Sequence, residues 1–166
     1  MDNDLRRLKT LCGGLFFVLL LLTVIIAMAI CVVVSGTVIE MSDPGLVSDY
    51  LGISSDRFVV IAGFGAVVMG VSLVVLVMML NITNAIYREY SPFTIKNVKR
   101  LEVIFLAYLL LPVIVSPMIY AVIGELTALE VIILSFSSVL MAAIFYCLSL
   151  VFRYGCWLQK ESDETL

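Results

Sequence analysis

The sequence predicts an all-α fold, an integral membrane bundle of four transmembrane helices with both termini in the cytoplasm. Hydrophobic residues make up 63% of the 166 residues and charged residues only 14%, which is too little polarity to cover a water-soluble domain of this size. Four long apolar stretches each match the roughly 20 residues that a helix needs to cross a bilayer. Basic residues gather on one side of these stretches, and this asymmetry sets their orientation.

The first predicted span covers about residues 11–34. Its centre, residues 15–34, contains no charged side chain, as the interior of a bilayer requires. The basic residues before it and the sequence Ala27-Met28-Ala29 within it also resemble a cleavable signal peptide, which is the alternative. Because the apolar run continues through Val34, we favour an uncleaved span.

Residues 35–57 are predicted to form a loop on the outer side of the membrane. This loop contains four acidic residues and one basic residue. Asp43 is a helix-capping residue and Pro44 suits the first helical position, so the sequence predicts a short helix that begins there. The apolar side of this helix would lie in the membrane interface or, alternatively, form a sensing surface.

The second, third and fourth spans are predicted at about residues 58–86, 101–123 and 131–152. The apolar centre of each span contains no Asp, Glu, Lys or Arg. In the third span, Pro112 and Pro117 remove two amide donors and therefore predict a kink.

Helix packing is predicted along one side of the second span. Ala62, Ala66 and Gly70 recur at steps of four residues, and such small residues let another helix approach closely in lipid. They either pack the spans of one chain together or form the contact of a homo-oligomer. The sequence leaves the oligomeric state open.

The orientation follows from the positions of the basic residues. Nine of the ten precede the first span, lie between the second and third spans, or follow the fourth, and only Arg57 lies on the opposite side. Because basic loops are retained in the cytoplasm, the loop at residues 87–100 and the tail at residues 153–166 are predicted to be cytoplasmic. The lipid bilayer is therefore the main predicted partner.

The composition excludes several classes of chemistry. The chain contains no His, which removes His-based metal sites and Ser-His-Asp triads. It has no ionisable group at the predicted membrane depth and no nucleotide-binding, metalloprotease or CxxC motif. We therefore predict a non-enzymatic protein without catalytic residues, metal or cofactor. The net charge of -3 also argues against direct nucleic-acid binding.

The segment at residues 90–101, between the second and third spans, carries most of the informative polar residues. Thr94 can cap the helix that follows, with Asn97 three residues later. After the fourth span, Arg153 could reach a lipid phosphate, Asn97 or Asn84. The sequence predicts a cytoplasmic docking or lipid-headgroup face, with a purely topology-setting basic cluster as the alternative. This face consists of Pro92, Phe93, Thr94, Lys96, Asn97, Lys99, Arg100, Arg153 and Gln159.

Two segments carry a family resemblance. Residues 91–101 read SPFTIKNVKRL, and residues 151–166, two spans later, read VFRYGCWLQKESDETL. With these segments at this spacing, the chain from about Asn84 onward resembles the bacterial membrane-protein family called domain of unknown function 2975. The resemblance implies a four-span protein of the bacterial inner (cytoplasmic) membrane without an assigned activity. It also implies a frequent genetic neighbour, a small helix-turn-helix transcriptional regulator.

The sequence and the resemblance together predict a protein that regulates or anchors such a regulator at the membrane. Two alternatives stay open. One is a small transporter, pore or immunity-type protein for a lipophilic compound, with the kink of the third span and the hydroxyls of the fourth lining a path. The other is an auxiliary subunit of a larger membrane complex, which a stoichiometric partner would reveal.

Overall fold

Four long helices and one single-turn helix make up the fold. The structure is a computed structural model that describes residues 2–89, 93–123 and 128–164, and every regular element in these ranges is a helix. The predicted all-α class is therefore confirmed. The helices are α1 (Asp2–Ser42), α2 (Ser48–Leu51), α3 (Ser55–Glu89), α4 (Ile95–Ile123) and α5 (Ala128–Glu164).

Three of the helices are long and apolar enough to cross a membrane, as judged from the residues that the structure describes. These stretches are Thr10–Ser42, Ser55–Arg88 and Ser135–Ser162. At about 1.5 Å per residue each is roughly 40–50 Å long, which exceeds a hydrocarbon core of about 30 Å, so their ends extend beyond it. α4 begins with a charged segment at residues 95–102 and is apolar after it. The structure thus supports an integral membrane protein with three candidate spans.

The connection between α1 and α3 is shorter than the predicted loop at residues 35–57, because α1 runs on to Ser42. The hydroxyls of Ser35, Thr37 and Ser42 donate to backbone carbonyls three or four residues earlier, at 2.8–3.0 Å. These bonds satisfy the polar side chains within the helix, so polarity alone does not end it. At the other end of the chain, α5 likewise continues through most of the predicted tail.

The long helices pack in a row, α1 on α3, α3 on α4 and α4 on α5. The buried core lies where α3, α4 and α5 meet and contains Ile82, Leu101, Ile104 and Phe145. No residue is buried in the most apolar stretch of α1, whose side chains are left for lipid. In the described ranges the predicted bundle takes the form of an open row. Lipid solvates apolar side chains as well as a helix does, so no hydrophobic force closes the row.

The small residues of α3 face differing surroundings. Ala62 is buried, while Ala66 and Gly70 are half-buried. A Cβ added at Gly70 would meet no atom within 4 Å, so among the described residues none fills the space in front of this glycine. Near Ala62, the small side chains leave an apolar cavity of about 440 Å³ between α1 and α3.

α4 is continuous through the two prolines that predict a kink. Its helical assignment runs unbroken from Ile95 to Ile123. Ser116 Oγ donates to the Pro112 carbonyl oxygen at 2.7 Å, which gives that carbonyl a side-chain partner in addition to the backbone ladder. The prolines therefore lie within one helix.

A buried carboxylate organises the segment between α1 and α3. Glu40 is fully buried and accepts hydrogen bonds from the backbone N–H groups of Gly45, Val47 and Ser48 at 2.9–3.1 Å. It also accepts one from Ser48 Oγ at 2.6 Å. Because Glu40 occupies these donors, α2 begins at Ser48 without a side-chain cap of its own. The predicted helix start at Asp43 is therefore wrong.

These contacts favour the ionised form of Glu40. The hydroxyls of Ser48 and Ser55 and the N–H groups of Gly45 and Val47 hold the pKa of this carboxyl well below its ordinary range, although burial acts in the opposite direction. Glu40 lies six residues beyond the apolar stretch that ends at residue 34, near the end of α1. The segment over this end of the helices is thus fixed by one charged side chain.

Candidate functional site

The segments that carry the family resemblance meet at one end of the helical row. We call this end the basic end, because it holds the basic residues at the end of α3, the start of α4 and the end of α5. These residues are Arg88, Lys96, Lys99, Arg100, Arg153 and Lys160.

Thr94 caps the first turn of α4 at the basic end. Its Oγ1 accepts a hydrogen bond from the Asn97 N–H at 3.3 Å, and its carbonyl oxygen accepts from the N–H groups of Asn97 and Val98 at 2.9 and 3.1 Å. These are the contacts of an N-cap residue, and they confirm the predicted cap. Pro92, which belongs to the predicted face, lies outside the described residues.

Arg100 and Asn97 turn into the protein and tie α4 to α3. The Arg100 Nη1 group donates to Asn97 Oδ1 at 2.8 Å and to the Asn81 carbonyl oxygen at 3.0 Å. Asn97 is fully buried. Arg100 therefore forms hydrogen bonds inside the protein, whereas Lys96 and Lys99 of the same segment are exposed.

Phe93 packs on the end of α5. Its ring lies edge-on to that of Phe152, with centroids 5.5 Å apart and an interplanar angle of 69°. Gly155, which is buried, faces the same ring, and a Cβ added there would overlap it. The glycine therefore provides the space that Phe93 occupies, which joins the two resembling segments directly.

Arg153 forms an ion pair with Glu102, 51 residues earlier in the chain. The expectation that Arg153 reaches Asn97 or Asn84 is wrong, because Glu102 offers a carboxylate at the same end of the row. Sequence reasoning missed Glu102, although it is the only acidic residue between Glu89 and Glu125. The absence of other acidic residues around Glu102 was the feature of the sequence that could have identified it as a partner for Arg153.

The remaining residues of the predicted face lie on the surface. Lys96 and Lys99 are exposed on α4, and Gln159 is exposed on α5. On α5, before Gln159 in the chain, the rings of Tyr154 and Trp157 stack with centroids 5.8 Å apart, and both are exposed. The basic end thus has an interior part, built by Phe93, Asn97 and Arg100, and an exposed part with two lysines and two aromatic rings.

The described residues contain no group of three or more Cys, Asp or Glu side chains that could hold a metal ion. The four cysteines are free thiols. The basic end therefore presents positive charge and aromatic surface at helix ends that internal contacts hold in place.

Long apolar helices define the class of the chain, an integral membrane protein, and its basic end is held by internal contacts. Residues 48–166 match the model of the family described as protein of unknown function (DUF2975). The chain belongs to this family, as the resemblance predicts, and the match also takes in α2 and α3. No curated protein and no solved structure matches the chain.

Proposed function

We propose that the chain is a non-enzymatic protein of the bacterial inner membrane that crosses it four times and holds a cytoplasmic protein at its basic end. The proposed partner is a small helix-turn-helix transcriptional regulator. In this proposal α4 forms the third span in chain order, from Val103 onward, which brings the number of spans to four, and both termini lie in the cytoplasm. The excess of basic residues at one end supports this orientation.

The observation that carries the proposal is the bracing of the basic end. Two segments far apart in the chain pack together through Phe93 and Gly155, and an exposed ion pair joins Arg153 to Glu102. Such bracing supports a binding role, because a surface held rigid before binding loses less conformational entropy when a partner docks.

Charge and exposure select the residues that would meet the partner. Lys96 and Lys99 are three residues apart on α4 and so project from neighbouring positions on one side of the helix. Both are exposed, whereas Arg100 and Arg153 already bond protein groups. A partner with an acidic docking patch suits this surface, and the exposed rings of Tyr154 and Trp157, on α5 at the same end of the row, offer apolar contact area.

The test measures retention of the partner at the membrane. The full chain is expressed with a fluorescently tagged copy of the helix-turn-helix regulator encoded by the neighbouring gene. The membrane and soluble fractions are then separated. We expect Lys96→Glu with Lys99→Glu to release most of the regulator into the soluble fraction. The control is Arg57→Glu, which reverses one charge at the opposite end of the protein. Its effect is compared with that of the single substitution Lys99→Glu. An unchanged distribution, with the variant still inserted, would remove the proposed docking role.

Topology is tested separately with reporters. We expect a reporter of the kind that works only in the cytoplasm to be active when it is fused after Leu166. A reporter of the kind that works only in the periplasm should be inactive at this position. Activity of a periplasmic reporter at this position would contradict either the proposed orientation or the proposed number of spans.

The apolar cavity between α1 and α3 favours a second candidate function, the handling of a small lipophilic compound. Its volume is about 440 Å³, and its lining includes Gly36, Phe58 and Gly65. A Cβ added at Gly65 would meet no atom within 4 Å, so the first carbon of a larger side chain fits there and Gly65→Leu would occupy part of the cavity. If the chain handles such a compound, Gly65→Leu should change the cell's sensitivity to it. The matched change Gly63→Leu, at an exposed position outside the cavity, should not.

A further inference from the structure

α1 and α3 leave a second groove between them at the basic end, away from the exposed lysines of α4. Its volume is about 270 Å³, and it is lined by Gly13, Phe16, Phe17, Asn84, Tyr87 and Arg88. Gly13 contributes no side chain, which helps to keep the space open. We call this space the Arg88 groove.

One wall of the Arg88 groove is polar. Asn84 and Arg88 are four residues apart and therefore lie on the same side of α3, separated by about 6 Å along its axis. Arg88 is exposed, and Asn84 is half-buried. Within the part of the chain that the structure describes, neither side chain has a hydrogen-bond or ion-pair partner. Their donors are thus free to meet a ligand.

The other wall is aromatic. The rings of Phe16 and Phe17 lie edge to face, with centroids 6.1 Å apart, and Phe17 is exposed. Because α1 runs away from the basic end, these rings lie about one turn further into the helical row than Gly13. The groove therefore changes from cationic at Arg88, through the amide of Asn84, to apolar at the two rings.

This order of surfaces matches the anatomy of a phospholipid, whose phosphate is followed by glycerol esters and then by acyl chains. We propose that the Arg88 groove binds an anionic phospholipid. The Arg88 guanidinium binds the phosphate, the Asn84 amide donates to an ester carbonyl, and the first methylene groups lie on Phe16 and Phe17. A free phosphate would leave the aromatic wall uncovered, which favours the lipid. The proposal requires only that the chain spans a membrane, and it is independent of the protein partner.

The test uses native mass spectrometry of the full chain in mild detergent. Phosphatidylglycerol and phosphatidylcholine with identical acyl chains are added at equal concentration, and the lipid that remains bound is counted. We expect phosphatidylglycerol to be retained about ten-fold more than phosphatidylcholine, because both carry a phosphate but the choline cation of the second competes with Arg88 for it. Arg88→Ala should abolish the preference. Lys99→Ala, a basic residue of the same end outside the groove, should leave it intact.

Two further measurements separate the lipid from other occupants. Gly13→Leu fills the groove and should reduce the retention of both lipids, while Arg88→Lys keeps the charge and should keep part of the preference. Excess inorganic phosphate should not displace the lipid more than chloride of equal ionic strength does. Equal retention of both lipids by the parent chain would overturn the proposal. So would equal effects of Arg88→Ala and Lys99→Ala, or complete displacement by phosphate alone. Far-UV circular dichroism checks that every variant keeps its helical content.

Discussion

Gly155 is expected to be the most sensitive glycine of the basic end, and its replacement by Ala tests how Phe93 packs. The added Cβ would lie 2.7 Å from Phe93 Cγ and 2.8 Å from Cε1, where ordinary contacts begin at 3.4 Å. The ring must therefore move away from Gly155, although it is also in contact with Phe152. Overpacking of this kind costs about 1–3 kcal/mol.

A second effect of the same substitution has the opposite sign. Ala inside a helix is favoured over Gly by about 1 kcal/mol, and Gly155 lies within α5. The net expectation is a decrease of up to about 2 kcal/mol in the free energy of unfolding. In a Phe93→Ala background the clash is absent, so Gly155→Ala should then stabilise the protein by about 1 kcal/mol.

The assay is reversible unfolding of the purified full chain in detergent micelles, followed by far-UV circular dichroism during titration with sodium dodecyl sulfate. Gly63→Ala is the matched control, because a Cβ there would meet no atom within 4 Å. It should have the same small stabilising effect with and without Phe93. The reasoning fails if Gly155→Ala stabilises the parent chain as much as Gly63→Ala does.

Three other predictions concern the polar contacts of the two ends. Asn97→Ala should lower the free energy of unfolding by about 1–3 kcal/mol, because it leaves a guanidinium without its buried acceptor; the exposed Lys96→Ala should change it by less than about 0.5 kcal/mol. Arg153→Ala and Glu102→Ala should show a coupling below about 1 kcal/mol in a double-mutant cycle, since the two side chains are 59% and 36% exposed. A larger coupling would mean that the pair is shielded. Glu40→Gln should increase proteolysis of residues 43–54, because its amide group faces backbone donors. In the parent chain, protection should persist as the pH falls through about 4 and be lost only below it, since a lowered pKa keeps the carboxylate ionised to that point; loss of protection already near pH 5 would contradict this.

The features that the sequence predicted correctly are set by local chemistry. A span needs only a sufficient length of apolar residues, and Thr94 caps α4 because its hydroxyl lies within reach of an N–H three residues later. The family resemblance rests on short segments whose residues can be read directly. Each of these signals lies within a few turns of helix.

The features that the sequence missed depend on how distant elements meet. Asp43 and Pro44 form a good local start for a helix, but Glu40 binds the backbone donors of the following turn once the chain folds back over it. The sequence predicts a bundle of helices but not which helices pack on one another. Lipid solvates apolar side chains as well as a helix does, so apolar burial alone does not set this order. In the described ranges the long helices pack chiefly as α1 on α3, α3 on α4 and α4 on α5.

The hydrogen bonds of the basic end also decide which substitutions can report on binding. By spacing alone, Lys96, Lys99 and Arg100 belong to one side of α4, and replacing all three together would seem to test one surface. Arg100, however, bonds Asn97 and the end of α3, so its removal would loosen the helix end whether or not a partner exists. Among the basic residues described at this end, only Lys96, Lys99 and Arg88 can change charge without breaking a described internal contact. Because the lysines lie on α4 and Arg88 lies in a groove between α1 and α3, loss of protein retention and loss of lipid retention should follow from different substitutions.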